Sequence, residues 1–255
     1  MRRYRFMTAT LLACAITILA HAEQTIASVE AEVEAKWAQI SGFTAKTTTD
    51  AAVPAGPMTM KSRATGTLEC LKQGDKTLFR LDMVNKIDMG VPLPGALASA
   101  TEQKVLSVFD GESLYNEMEM LGQRHVFKMT GDTAEKGAPA AGKSMFEAFR
   151  AKGELKLLPD ATVDGAPVYV IEIVPNDELK QNAPTPVGSL KVYISKELGL
   201  QIKMEVLDDK GSATSTTVYS DIDTKANLAP ERFVYKVPAG VTVQEMDPAN
   251  PFGKK

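Results

Sequence analysis

From residue 43 onward, apolar and polar residues alternate, and most interruptions are short clusters of turn-forming residues. Alternation sends successive side chains to opposite faces, so each stretch predicts a strand with one face for a core and one for water. Such stretches occupy 43–49, 58–71, 77–84, 104–109, 113–120, 124–129, 166–174, 189–195, 200–208, 212–222 and 231–237, with a short last one at 241–245. Between them stand Gln73-Gly74-Asp75, Asp110-Gly111, Leu121-Gly122, Asp164-Gly165, Glu197-Leu198-Gly199 and Asp208-Asp209-Lys210-Gly211. These are turn sequences, and connections this short make neighbours pair antiparallel. About eleven successive strands form a sheet too large to stay flat, so it must curl strongly or close on itself.

The alternation also assigns faces. Phe79, Leu81 and Met83 oppose Arg80 and Asp82. Leu114, Met118 and Met120 oppose Tyr115, Glu117 and Glu119, while Phe127 and Met129 flank Lys128. Ile202, Met204 and Val206 oppose Lys203 and Glu205, and the stretch "RFVYKVPAGVTVQEMD" adds Phe233, Tyr235 and Val237 before a Pro-Ala-Gly turn. One face of a long curved sheet is therefore apolar and the other charged.

Two segments can cover the apolar face. Ile26, Val29, Val33, Trp37 and Ile40 recur at helical spacing until Gly42, and Met145, Phe146 and Phe149 share one side of a second helical piece. Stretches 85–103, 130–142 and 175–187 break the meander with Pro, Gly and Ala. A half-closed barrel of this size encloses more space than its own side chains readily fill. Met83, Met118, Met145 and Met204 point inward, and flexible thioethers suit either a surface for varied apolar shapes or gap filling in a closed core. Periodicity does not separate these two.

The ends bound the folded part. Residues 1–22, "MRRYRFMTATLLACAITILAHA", carry three arginines, a short apolar run and Ala20-His21-Ala22, which reads as a secretory signal with its cleavage site. Within it, Leu11-Leu12-Ala13-Cys14 also reads as a lipidation site, which would tether the chain to a membrane through Cys14. One domain is expected over 23–247, with a tail at 248–255. Without Arg2, Arg3 and Arg5, the balance of 29 basic and 32 acidic residues becomes 26 to 32, a net charge of −6. That suits export and not nucleic acid, whose phosphates need a basic face.

Catalytic signatures are absent. His125 is the one histidine beyond the signal, so no pair remains for zinc or a triad. Cys70 alternates with Leu68, as a small core residue does. No phosphate loop, dinucleotide fingerprint or nucleophile elbow occurs. Acidic residues are plentiful, but no pair is singled out for acid–base work. The expectation is a non-enzymatic chain without metal or cofactor; a hydrolase using His125 or Cys70 is the reading to be tested against it.

Several pieces, in order, resemble the LolA-like periplasmic carriers of outer-membrane lipoproteins and the wider lipid-binding envelope proteins of that fold. They are "WAQISGFTA", "GTLECLKQGDKTLFRLDM", "KVLSVFDGESLYNEMEM", "GSLKVYISKELGLQIKMEVLDDKGSATSTTVYSDI" and "RFVYKVPAGVTVQ". The resemblance implies a mainly β fold, an unclosed antiparallel barrel of about eleven strands under a helical lid that opens onto an apolar cavity. It implies a monomer that binds acyl chains of a lipoprotein or another lipid, taken from an inner-membrane exporter and passed to an outer-membrane acceptor. The cavity would be lined by Trp37, Phe79, Leu81, Met83, Leu106, Val108, Leu114, Met118, Met120, Phe127, Met129, Ile202, Met204 and Phe233. Met145, Phe146 and Phe149 would form the inner face of the lid. Where carriers of the family have an Arg-Pro whose arginine holds the lid shut, this chain has Lys72-Gln73, which makes Lys72 the latch candidate. The alternative within the same fold is an envelope-stress sensor acting through a protein partner.

Overall fold

The computed structural model describes residues 24–55, 58–88, 101–131, 134, 143–183 and 185–246. Helix α1 (Ile26–Ala38) leads into six strands: β1 (Gly42–Ala55), β2 (Met58–Gln73), β3 (Lys76–Asp88), β4 (Glu102–Phe109), β5 (Ser113–Met120) and β6 (Gln123–Thr130). Helix α2 (Lys143–Lys152) precedes β7 (Gly153–Val163) and β8 (Ala166–Pro175), and the short α3 (Asp177–Asn182) follows. Strands β9 (Ser189–Ser195), β10 (Gln201–Leu207) and β11 (Ala213–Asp223), a 3-10 turn (Pro230–Phe233) and β12 (Val243–Glu245) complete the described elements.

The twelve described strands form one sheet, in the order β12-β6-β5-β4-β3-β2-β1-β11-β10-β9-β8-β7. Every neighbouring pair is antiparallel except β12 with β6, which is parallel. Two meanders, β1–β6 and β7–β11, join where β11 pairs with β1. Strands β7 and β12 remain edges, so the barrel is open, as expected.

Helix α1 starts on a capping box in which Thr25 and Ser28 bond each other's backbone N–H. Val29, Val33 and Trp37, four apart, are its buried stripe. Val29 and Val33 join Met145, Phe146 and Phe149 of α2 over Tyr169, Ile171 and Ile173 of β8 and Leu190, Val192 and Ile194 of β9. Trp37 joins Phe43, Leu68, Cys70, Phe79, Phe109 and Leu114 over the other meander. One face of the sheet is thus covered by α1 and α2, with Leu179 of α3 packed against the same cluster, and α1 bridges both halves. None of the described helices is long and apolar enough to cross a membrane.

Three expectations change. Residues 231–237 are not a strand. Pro230 opens a 3-10 turn there, and the segment runs as a strap over the charged face. Arg232 bonds both oxygens of Glu69 at 2.9 and 2.6 Å, the Tyr235 hydroxyl donates to Glu117 at 2.7 Å, and the Tyr235 ring stacks on Tyr115 at 4.8 Å. A strap lying flat on a sheet alternates inward and outward side chains much as a strand does. Conversely, β7 was not expected, because Leu157 and Leu158 are adjacent and Pro159 follows. The strand absorbs them in a register shift between Leu158 and Ala161. Strands β1 and β3 also run on to Ala55 and Asp88, past the point where alternation fades. The expected signal segment 1–22 with Cys14 and the expected tail 248–255 lie outside the described residues.

Candidate functional site

Directly paired residues share a face, so register decides what lines the helix-covered side. One row across the sheet is Phe43, Cys70, Phe79, Phe109, Leu114 and Met129. The next is Ala45, Leu68, Leu81, Ser107, Asn116 and Phe127, and the third is Thr47, Gly66, Met83, Val105, Met118 and His125. Trp37, Phe79 and Leu114 are buried together, with Leu81 and Met129 packed against them. Met204 packs against the cluster that holds Met145, Phe146 and Phe149, all three of which are buried.

Met83, Val105 and Phe127 are only half-buried, and Met118 is 41% exposed. The face therefore has a closed half under Trp37 and the helices, and a more open half with no described helix against it, where Met83, Val105, Met118 and Phe127 lie among Ser107, Asn116 and His125. Its floor is low at β2: a Cβ on Gly66 would sit 2.0 Å from the Asp82 carbonyl oxygen and 2.7 Å from Met83 Cγ. Ala64 is the next residue on that face. Asn85, in the row beyond Met83, has a buried Oδ1 with no hydrogen-bond partner.

Three expected lining residues lie elsewhere on the sheet, and a fourth lies off it. Val108 pairs with Arg80 and Tyr115, and Leu106 pairs with Asp82 and Glu117, so both belong to the charged face. Val108 is buried there, in the row the strap crosses. Ile202 packs with Val168 and Val170, which alternate with the helix-facing Tyr169 and Ile171. A register shift between Gln201 and Lys203 turns it away. Phe233 belongs to the strap, opposite the helices. The side chain of Met120 lies outside the described residues.

Four polar contacts fasten α1. The Lys72 ammonium donates to the Trp37 carbonyl at the helix C-terminus and sits 4.1 Å from the Trp37 ring centroid. A cation there meets the negative end of the helix dipole and an aromatic face. Removal from water lowers the Lys72 pKa. The Lys36 ammonium donates to the Lys196 carbonyl and pairs with Glu32 at 2.9 Å. The Tyr169 hydroxyl donates to Glu32, whose carboxyl is held below its ordinary value by that bond and then by Lys36. Arg150 of α2 forks onto Glu30, one bond being 3.0 Å. The β9–β10 turn approaches closely enough that a Cβ on Gly199, at φ +66°, would lie 2.8 Å from Lys36 Cβ. Of these contacts, the i, i+4 spacing of Glu32 and Lys36 is visible in the sequence, and the family resemblance marks Lys72 as a latch without naming its partner.

Two candidate reactive side chains fall on this face, the exposed His125 and the buried Cys70. Burial drives the Cys70 thiol far above its ordinary pKa, so it has no accessible thiolate. Among the described residues no group of three His, Cys, Asp or Glu side chains could hold a metal ion.

No protein family's sequence model matches the chain, and no curated relative does. Solved structures are similar to it. An uncharacterized conserved protein from Thermus thermophilus is 12% identical over 87% of this chain and 100% of its own, with a TM-score of 0.52. A chain in the complex structure of Pseudomonas aeruginosa MucA/MucB is 14% identical over 82% of this chain at a TM-score of 0.43; the match spans 60% of that chain. The LolA superfamily protein NE2245 from Nitrosomonas europaea is 15% identical over 83% of this chain and 98% of its own, at 0.31. At such identities a likeness concerns fold alone, and the last two superpose too loosely to bear more. What is shared, over the whole length of the Thermus protein, is the open sheet under helices described above.

Proposed function

We propose that the chain is a non-enzymatic binder of acyl chains, holding the apolar part of a lipid or lipoprotein against the helix-covered face and carrying it through the cell envelope. One observation supports this most: Leu81, Met83, Val105, Met118, Phe127 and Met129 form a mostly apolar surface, interrupted by the paired Ser107 and Asn116, that continues the buried core yet remains partly open. An acyl chain laid there loses water at roughly 0.8 kcal/mol per CH₂. Met side chains adapt to chains of different shape. The fastened helix α1 is then a lid, and Lys72, through the Trp37 carbonyl, is its latch.

Lipid extracted from purified full-length protein and identified by mass spectrometry tests the reading. Wild type should carry fatty-acyl lipid, and Met118→Asp should retain about fivefold less or lower still, because a charge is set on the apolar surface. Met118 is too exposed for that change to unfold the chain, which thermal melting checks. Wild-type protein free of lipid, and unable to take up a fluorescent fatty acid, would sink the proposal and favour a module acting through protein contact.

A further inference from the structure

The turn between β5 and β6 is built from an unsuitable residue. Leu121 and Gly122 both have positive φ, +55° and +74°. A two-residue hairpin turn of this kind selects Asn-Gly or Asp-Gly, and a bulky apolar side chain at its first position is strained. The leucine gains little inside the protein in return, being 55% exposed. Strain retained for little internal benefit points to an external contact.

The surroundings say what kind. On the helix-covered side, Met118 lies three residues back, also exposed. On the other side, Lys104 and Arg124 pair with Glu119 and Glu117 at 3.6 and 3.5 Å. The cations stand further out: the Lys104 side chain is 59% exposed against 27% for Glu119, and Arg124 47% against 13% for Glu117. Lys86, on the neighbouring strand, is likewise more exposed than Glu102. The tip thus combines an apolar point, an apolar flank and a flank of outward cations. A bilayer interface with anionic headgroups accepts that combination, apolar groups entering the acyl boundary while cations meet phosphate.

We propose that the β5–β6 tip docks the protein on an anionic lipid surface, with Leu121 inserted and Lys104, Arg124 and Lys86 at the headgroups. Docking there brings the open apolar face to the lipid, so the inference rests on the acyl-binding reading for its purpose, although binding to the surface is measured separately. The experiment is flotation of the full-length chain with vesicles of phosphatidylethanolamine and phosphatidylglycerol, and with vesicles of phosphatidylcholine alone. Wild type should bind the anionic vesicles, more weakly at high salt, and the neutral ones poorly. Leu121→Asn suits the turn and should keep the melting temperature while lowering vesicle affinity about tenfold. Leu121→Trp supplies a second readout: its fluorescence should be quenched by bromine-labelled acyl chains. Absence of wild-type binding, unchanged affinity in Leu121→Asn, or an unquenched tryptophan would each overturn docking at this tip. Protein that carries extractable lipid yet fails these assays leaves acyl binding standing. Protein that docks through Leu121 yet carries no lipid and takes up no fatty acid refutes acyl binding alone.

Discussion

Lys72 is where one side chain does several jobs. Its ammonium bonds a helix-terminal carbonyl, faces an indole ring and gives up part of its hydration to do so. Lys72→Ala should therefore destabilise the fold by about 1–2 kcal/mol, a charged hydrogen bond and an aromatic contact less the cost of holding a lysine. Denaturant titration measures this, and emission of the chain's single tryptophan, Trp37, reports whether the helix end has loosened. Lys72→Arg should keep the charge but not the fit, because a planar fork replaces a compact ammonium. A Lys72→Ala protein as stable as wild type, with unchanged emission, would remove the latch from the account.

At the scale of the element, α1 is held to three partners besides Lys72 of β2: α2 through Glu30, β8 through Glu32 and the β9–β10 turn through Lys36. Its attachment should depend on pH. The Glu32 carboxyl is depressed below 4.5 in the folded chain, first by the Tyr169 hydroxyl and then by Lys36. A depressed carboxyl contributes stability that is present above its unfolded pKa and lost as pH falls through the folded one. Acidification from 4.5 downward should thus loosen α1, seen as a change in Trp37 emission, and Glu32→Gln should flatten that response. Tyr169 works in the opposite direction. Burial and then Glu32 raise its pKa above 10, so its contribution persists below that value and fails only in strong alkali.

Across the whole molecule, the sheet is covered on both sides by different means. Helices close part of the apolar face, while the C-terminal strap closes part of the charged one. The strap is secured where Arg232 meets the nearly buried Glu69. Arg232→Ala leaves that carboxylate without its partner and should cost about 1–3 kcal/mol, reduced by the half-exposed position of the arginine. Tyr235→Phe, which keeps the ring stack and loses the bond to Glu117, should cost less. If chemical denaturation finds Arg232→Ala neutral, the strap is an accessory and Val108 is held by the sheet alone.

Local repetition made much of this fold legible. Period-two alternation with Gly-rich turns is a property of neighbouring residues, so it exposed most strands, their antiparallel pairing and the apolar face carrying Phe79, Leu81, Met83, Leu114 and Met118. Helical spacing likewise marked Val29, Val33 and Trp37, and Met145, Phe146 and Phe149. Where alternation was weak or imitated, the reading went astray. Leu157-Leu158-Pro159 hid an edge strand, and Phe233-Tyr235-Val237 mimicked one. Leu106, Val108 and Ile202 needed more than their own neighbours, since the face of a side chain follows from register with the next strand and from bulges that shift it. The same holds for the bonds from Tyr169 to Glu32 and Arg150 to Glu30, and for the Trp37 carbonyl as the partner of Lys72, which the family resemblance marks as a latch. Their partners stand 137, 120 and 35 residues apart. Sequence pattern carries the period of an element and the side chains that avoid water; which distant surfaces meet, and which apolar residues are left half-open, depends on twist, register and packing summed over the whole chain.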